Sequence, residues 1–252
     1  MCNNIQYMND KQKRLMKLLN ELTTILDKEN IKYSLGFGSL LGTVRHGGFI
    51  PWDDDVDVLI DHEGLEILFK KYPDKVFWTD NSKNFLPWSK WSNDKENDDD
   101  PVVIDLFPVI KTNIRNVNKT FSLKNKCKFI SGFFKTQIPK RLYYLIIIKI
   151  FFFPFIFFIK KLSYKTYLRQ LKIDNNEPHV YYIISPPFKK TYFKKHVLPV
   201  DPFNVELVKF QDTSFKCSKE RNTLLLNWYG QKYMTPKKWL TNVKHYGFYH
   251  VK

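Results

Sequence analysis

The sequence is poor in cysteine and has no internal repeat, and each absence excludes a class of protein. Its 252 residues include three cysteines, which are far apart and form no CxxC pair: Cys2, Cys127 and Cys217. Neither a disulfide framework nor a thiolate zinc site is therefore indicated, and a reducing compartment fits best. No period of about 20–50 residues recurs, which argues against a solenoid or a propeller.

The first residues also lack a targeting segment. Residues 1–6, MCNNIQ, have neither the basic nor the apolar region of a signal peptide, and Cys2 stands where myristoylation requires glycine. We therefore expect no signal peptide and a location on the cytoplasmic side of a membrane.

Acidic residues are missing from a long stretch in the middle of the chain. Residues 111–172 contain fifteen lysines or arginines and no aspartate or glutamate, whereas residues 53–105 hold fifteen of the twenty-five acids. An AT-rich coding sequence raises the lysine content without selecting a partner, but it does not explain so long a stretch without an acid. We expect the two regions to have different roles.

An apolar run, residues 142–159, lies inside the basic stretch and is broken only by Lys149 and Pro154. As a continuous helix it would extend roughly 27 Å, just short of a hydrocarbon core of about 30 Å. The flanking basic pairs and the many aromatic residues favour a helix that lies on an anionic membrane surface. A hydrophobic helical hairpin inside the domain is the alternative, because buried helices give the same pattern.

Hydrophobic periodicity predicts helices and strands in the rest of the chain. Leucine and isoleucine recur at helical spacing in the N-terminal region, and apolar residues alternate after Asn30 as they do in a strand. A helix is expected to close at Gly230. The other predicted elements are an amphipathic helix over 10–28, a strand over 33–37, a short helix over 40–44 and a buried strand over 102–109.

Carboxylates crowd one predicted strand. Side chains alternate between the faces of an extended chain, so Asp53, Asp55 and Asp57 project together and Asp54 is expected to point elsewhere. Hard cations such as Mg²⁺ or Mn²⁺ are the usual reason to tolerate such crowding, because they prefer oxygen ligands and leave positions open for phosphate oxygens. Asp105 is the one acid of the predicted buried strand and should meet a cation or a metal. The pattern predicts a metal-dependent site that handles phosphate.

A solvated acidic turn and a calcium loop are the alternatives for this acidic cluster. The segment lacks the glycine and the downstream glutamate of an EF-hand, and its apolar neighbours favour a strand over a loop. The metal-dependent site is therefore the preferred interpretation.

At these residues the chain resembles the LicD and fukutin-related phosphotransferase family. The resemblance is carried by residues 38–58, by 104–108 (IDLFP) and by 229–236 (YGQKYMTP), and it leaves the basic, apolar middle unmatched. It implies a nucleotidyltransferase-like core, in which helices flank a mixed sheet. We therefore expect a single α+β domain over residues 1–252. Its catalytic core would come from 1–110 and 178–252, with a basic, apolar helical insertion over 111–177.

The resemblance also implies roles for individual acids. Asp55 and Asp57 match the family's Asp-x-Asp pair, and Asp105 matches its third carboxylate on a neighbouring strand. We expect these three to be the catalytic residues and to hold Mg²⁺ or Mn²⁺. Asp53 is a candidate further ligand, and Asp105 is the candidate proton acceptor.

Substrate-binding residues are implied in the same way. Gly38 and Ser39 match a small-residue turn whose backbone amides and hydroxyl hold the donor phosphates. Arg45 and His46 are candidate diphosphate ligands, and Arg45 is the better one because its charge is permanent and its donors form a fork. Trp52 is expected to shape the site. Three aromatic residues are candidates for stacking on a base, although aromatic residues near a helix end are more often part of the core: Trp228, Tyr229 and Tyr233.

The activity that the resemblance implies is transfer of a phospho-alcohol, such as phosphocholine or ribitol phosphate. The group would pass from a CDP-linked donor to a hydroxyl of a glycan or glycoconjugate, with release of CMP. An anionic membrane surface is a further expected partner, and nucleic acid is not. The alternatives are a catalytically silent, membrane-associated binding protein on the same fold and a nucleotidyltransferase acting on RNA. The second lacks an RNA-binding motif.

Overall fold

The computed structural model describes residues 8–82, 84–93, 102–135, 158–172, 179–188 and 194–236, together with Ile147, Ile150 and Pro154. Within these residues a mixed seven-stranded sheet packs with helices, and a two-stranded hairpin forms a second sheet beside it, which confirms the predicted α+β class. The helices are α1 (Asp10–Lys28), α2 (Phe37–His46), α3 (His62–Lys71), α4 (Ile114–Thr120), α5 (Leu123–Lys135), α6 (Tyr164–Leu171) and α7 (Arg221–Tyr229). The strands are β1 (Tyr33–Leu35), β2 (Val56–Asp61), β3 (Val76–Phe77), β4 (Ser89–Trp91), β5 (Ile104–Thr112), β6 (Val180–Ile183), β7 (Val197–Leu198), β8 (Val205–Phe210) and β9 (Thr213–Ser218).

Helix α1, predicted with the same bounds, connects the hydrophobic core to the acidic segment. Asn9 and Gln12 form a capping box, in which each side chain accepts a hydrogen bond from the backbone N–H of the other residue. The buried side-chain amide of Gln12 also donates to the backbone carbonyls of Ile50 and Asp53, at 3.2 Å and 3.0 Å. The start of α1 therefore holds the chain immediately before the acids.

The parallel pair β2 and β5 forms the centre of the large sheet. Strand β1 runs antiparallel along the outer edge of β2. Strand β5 is nine residues long, so its other edge has room for two antiparallel partners, β4 along residues 104–106 and β6 along residues 109–112. The predicted buried strand at 102–109 is thus found, and it extends three residues further.

Two element boundaries in the acidic region differ from the prediction. Helix α2 begins at Phe37, so Gly38 and Ser39 lie in its first turn and not in a turn before it. Strand β2 begins at Val56, so Asp53 and Asp55 lie in the irregular segment that leads into it. Helix α2 ends where Gly47 adopts a left-handed conformation, with φ 67°, and its N–H bonds back to the helix.

Helix α6, which falls within the predicted insertion, packs into the main core. Tyr164, Tyr167 and Leu171 are each 2% exposed or less. The hydroxyl of Tyr167 donates to the carbonyl of Ser185 at 2.9 Å, and the hydroxyl of Thr112 donates to the carbonyl of Leu171 at 2.6 Å. The end of the 111–177 region is therefore continuous with the core, and the proposed domain boundaries stay a prediction.

The apolar run at 142–159 lies largely outside the described residues. The members that are described include Ile147, Ile150 and Phe158, which are 72%, 69% and 86% exposed. In the described part of the chain, we find no helix with the length and apolar character needed to cross a bilayer.

Candidate active site

A cavity of about 770 Å³ lies beside the first residues of β2 and β5. Its floor is acidic and its walls combine aromatic rings with basic side chains. The acids that line it are Asp53, Asp55, Asp57 and Asp105, and the basic residues are Arg45, Lys195 and Lys232. The aromatic lining residues are Phe37, Trp52, Trp88, Phe107, Trp228, Tyr229 and Tyr233.

Three charged residues form a row across the sheet. Asp57 on β2 is the register partner of Asp105 on β5, and Asp105 is the register partner of Lys90 on β4. Register partners on neighbouring strands project from the same face of a sheet, so the three side chains stand side by side. Two of the three predicted metal ligands are thereby neighbours, although they are separated by 48 positions along the chain.

The start of α2 holds Asp57 in place. The backbone N–H of Gly38 donates to Oδ2 of Asp57 at 2.9 Å, and the backbone N–H of Asp57 donates to the hydroxyl of Ser39 at 2.9 Å. A Cβ atom at Gly38 would lie 3.0 Å from Oδ2 of Asp53 and 3.3 Å from Oδ2 of Asp57, so only glycine lets both carboxylates approach. In the structure Gly38 and Ser39 position an acid, and their contact with donor phosphates stays a prediction.

Phe37, which precedes these two residues, has an unusual backbone conformation for a residue other than glycine, with φ 34°. Its ring lies 4.8 Å from that of Phe107 and 4.5 Å from that of Trp228. Packing between β5 and α7 thus holds a strained residue at the wall of the cavity, as is common at functional sites.

The acids before β2 crowd more closely than the alternation of a strand predicts. Asp53, Asp54 and Asp55 each offer a carboxylate oxygen within 4.8 Å of the other two. Asp54 does not line the cavity, as expected, but its carboxylate stays close to those of Asp53 and Asp55, because the chain is irregular there and does not alternate. In the described part of the chain this trio, and not Asp55 with Asp57 and Asp105, has the tight spacing.

Burial and mutual repulsion disfavour the charged forms of these acids. Burial, and then the charge of Asp55, raises the pKa of Asp53 to about 8. Burial, and then the charges of Asp55, Asp105 and Asp53, raises the pKa of Asp57 well above its usual range. A bound cation would stabilise the charged forms of these carboxylates, because it offsets both their burial and their mutual repulsion.

Asp105 meets a cation from the protein itself. Nζ of Lys90 lies 2.7 Å from Oδ1 of Asp105, and both side chains are buried, with exposures of 2% and 7%. From the sequence we expected a cation or a metal beside Asp105, but nothing in the sequence identified Lys90 as that cation. The alternation of Ser89, Lys90 and Trp91 carries no signal for it, because only the pairing of β4 with β5 brings the lysine to the acid.

Arg45 and His46 lie at the C-terminal end of α2, and Arg45 lines the cavity. Nε of Arg45 donates to Nε2 of His46 at 2.9 Å, and one terminal nitrogen of Arg45 donates to the carbonyl of Tyr233 at 3.2 Å. Burial and the neighbouring guanidinium lower the pKa of His46, so its ring accepts from Arg45 in the neutral form. Trp52 is 42% exposed at the cavity wall.

The C-terminal motif contributes further residues to the lining of the cavity. Helix α7 closes at Gly230, as predicted, and the chain beyond it brings Lys232, Tyr233 and Thr235 to the cavity. Burial and the charges of Asp57, Asp53 and Asp55 raise the pKa of the Tyr229 phenol. The motif YGQKYMTP therefore lies at the same cavity as the acids.

The segment before β7 adds two residues that sequence reasoning missed. Lys195 and His196 both line the cavity, and burial lowers the pKa of His196 to about 4, so its ring is neutral near pH 7. No motif or spacing marks either residue, because tertiary contacts place them there: β7 pairs with β6, and the carbonyl of Lys195 accepts hydrogen bonds from the side chains of Asn227 and Trp228.

Comparison with known proteins agrees with this geometry. Residues 30–139 match the family described as LicD/FKTN/FKRP, nucleotidyltransferase domain. This segment of the chain is therefore similar to the nucleotidyltransferase domain of the LicD and fukutin-related family. The matched segment contains all four cavity acids, the start of α2 and Lys90.

Individual relatives match over shorter stretches of the chain. The lipopolysaccharide cholinephosphotransferase LicD of Haemophilus influenzae is 43% identical over 51 residues, which are 20% of this chain and 19% of that protein. An uncharacterized protein of Rickettsia prowazekii is 51% identical over 49 residues, 19% of this chain and 18% of that protein. The human ribitol 5-phosphate transferase FKRP is 53% identical over 34 residues, 14% of this chain and 7% of that protein. The matches thus span at most about a fifth of these relatives.

Proposed function

We propose that this protein is a metal-dependent phosphotransferase. It would transfer a phospho-alcohol from a CDP-linked donor to a hydroxyl of a glycan, with release of CMP. The observation that carries the proposal is the convergence of Asp53, Asp55, Asp57 and Asp105 on one cavity that also holds three basic side chains. The names of two relatives, a cholinephosphotransferase and a ribitol 5-phosphate transferase, support the phospho-alcohol as the transferred group.

The donor set fits a hard divalent cation. The acids supply only oxygen ligands, they are crowded, and burial and mutual repulsion raise the pKa of Asp53 and of Asp57, so a bound cation would stabilise their charged forms. Asp55, Asp57 and Asp105 would hold Mg²⁺ or Mn²⁺, with Asp53 as a further ligand. When bound, the ion withdraws negative charge from the diphosphate and stabilises the departing CMP.

The chain's own residues would bind and orient the two substrates. Arg45, Lys195 and Lys232 offer positive charge to the diphosphate from the lining of the same cavity. Trp52 and Tyr229 offer exposed ring surface to the cytosine base, at 42% and 43% exposure. The base and the diphosphate thus have separate sets of contacts in one cavity.

The transfer itself is a substitution at phosphorus. The oxygen of the acceptor hydroxyl forms a bond to the phosphorus that carries the alcohol, and the bond from that phosphorus to the oxygen of CMP breaks. Asp105 would accept the proton of the acceptor hydroxyl, and CMP leaves with the bonding electron pair. A catalytically silent binding protein would share the cavity but release no CMP.

Release of CMP is the direct test of this function. We expect purified protein with Mg²⁺ or Mn²⁺ to release CMP from at least one of CDP-choline, CDP-ribitol and CDP-glycerol, and EDTA to stop the release. Nucleoside triphosphates with RNA as acceptor should give no product. If chromatography detects no CMP from any CDP-alcohol in the presence of metal and a glycan acceptor, the proposal fails and the silent binding protein is favoured.

We further propose that helix α5 contacts an anionic membrane. Its inner face is packed, since the ring of Phe129 lies 5.4 Å from that of Phe85. Its outer face leaves Leu123 and Ile130 exposed, at 75% and 37%. These two positions are seven residues apart and fall on one side of a helix, and the whole surrounding stretch of 62 residues has no acid. Apolar side chains among lysines suit a bilayer with anionic headgroups.

A vesicle assay tests this surface. We expect vesicles with about 30% phosphatidylserine to retain the protein, and phosphatidylcholine vesicles to retain much less, because the basic charge contributes to binding. The double substitution Leu123→Glu with Ile130→Glu should reduce retention about tenfold or more. A matched control, Leu207→Glu with Leu226→Glu, changes two exposed leucines elsewhere, at 69% and 46% exposure, and should bind normally. Equal retention of both double variants would contradict the assignment of α5.

A further inference from the structure

Lys90 is a buried positive charge beside the acids of the cavity. It is 2% exposed, it lies 2.7 Å from Asp105, and it stands in the same row as Asp57 across the sheet. Asp55 and Asp57 also attract its ammonium group. The lysine therefore belongs electrostatically to the whole acidic cluster and not to Asp105 alone.

A buried lysine is unfavourable unless it is paired, and an apolar side chain of similar volume would fit a central sheet position at less cost. At this position the positive charge of Lys90 offsets that cost, because it reduces the repulsion among the neighbouring carboxylates. Four acids line the cavity, so a single divalent ion and one ammonium together bring three positive charges to four negative ones.

Lys90 also disfavours the binding of a second metal ion at Asp105. In two-metal sites the ions stand about 3.5–4 Å apart and share ligands between them. Oδ1 of Asp105 already accepts from the ammonium, at a distance at which no second divalent ion fits on the same side of that oxygen. An ion placed there would also be repelled by the lysine.

We propose that Lys90 takes the place of a second divalent cation, so that the carboxylates bind one metal ion and Lys90 positions Asp105 toward it. This inference rests on the proposed function, since it concerns the metal of that same site. Lys90 is a positioning residue, because it acts through Asp105.

Counting bound Mn²⁺ tests the inference without any substrate. Electron paramagnetic resonance of free Mn²⁺, or calorimetric titration, should give one tight ion for the wild-type protein and for Lys90→Arg, which keeps the positive charge. Lys90→Gln should bind a second Mn²⁺, or bind the first about tenfold more tightly, because the repulsion is gone. A purely structural lysine would not change this count.

Lys232→Gln is the matched control, since it removes an exposed lysine from the wall of the same cavity and should still bind one ion. Two tight ions in the wild-type protein would overturn the inference, even if Lys90→Gln does not fold. So would an unchanged count and affinity in folded Lys90→Gln. CMP release by a protein that binds two ions would leave the proposed function standing, whereas one bound ion without CMP release would overturn the function alone.

Discussion

Replacing Asp57 by asparagine is expected to abolish release of CMP and, at the same time, to stabilise the metal-free protein. Asparagine keeps the shape of the side chain and an oxygen that can accept from the N–H of Gly38. It removes a charge that a metal ion requires, but that burial and the charges of Asp55, Asp105 and Asp53 make unfavourable in its absence. Function and stability should therefore change in opposite directions.

We expect the rate of CMP release to fall on the order of 10³-fold or more. The free energy of unfolding in EDTA should rise by roughly 1–2 kcal/mol, which denaturant titration measures. Asp61→Asn is the matched control, because Asp61 lies at the other end of β2, outside the cavity, beside His62. It should leave both quantities near the wild-type values. Wild-type turnover by Asp57→Asn would refute the assignment of this acid.

The metal-free protein is also expected to lose stability as the pH rises from about 4 to about 8. The pKa of Asp53 is raised from 3.8 to about 8 in the folded protein, chiefly by burial and then by Asp55. Between these two values the unfolded chain has released a proton that the folded protein still holds. Because the unfolded state then binds fewer protons, the free energy of unfolding decreases with rising pH.

Between the two pKa values, each pH unit changes the free energy of unfolding by about 1.4 kcal/mol for a single group whose pKa is fully shifted. Asp53 is partly accessible, so we expect a loss of roughly 1–4 kcal/mol across this range. Other groups also titrate in this range, so the variant Asp53→Asn is needed to isolate the contribution of Asp53. This variant should be more stable than the wild type near pH 8 and no more stable near pH 4. Saturating Mg²⁺ should remove much of the difference at pH 8, since the ion displaces the proton. Identical pH profiles of the two proteins in EDTA would contradict the crowding of these acids.

The sequence predicted most accurately those features that depend on local periodicity. Helix α1 has the predicted bounds because its apolar positions repeat every three or four residues and Asn9 provides the cap. The buried strand around Asp105 and the end of α7 at Gly230 were found for similar reasons. The carboxylates at 53, 55 and 57 were placed correctly at one site, although β2 begins only at Val56.

Residues that reach the cavity through strand pairing could not be predicted in this way. Lys195 and His196 precede the short strand β7, which pairs with β6, and no motif marks them. Lys90 likewise meets the cavity acid Asp105 only because β4 pairs with β5. The close approach of Asp54 to its neighbours depends on the irregular chain before β2, whose path is fixed from a distance by Gln12.

By itself, the sequence determined the chemistry of the site, because the types of side chain and their order along the chain are local properties. It supplied the acids, the glycine that admits them and the family motifs. Only the tertiary structure decided which charges face one another. The partner of Asp105 is a lysine fifteen residues away on another strand, and the register of a sheet depends on contacts that no single segment contains.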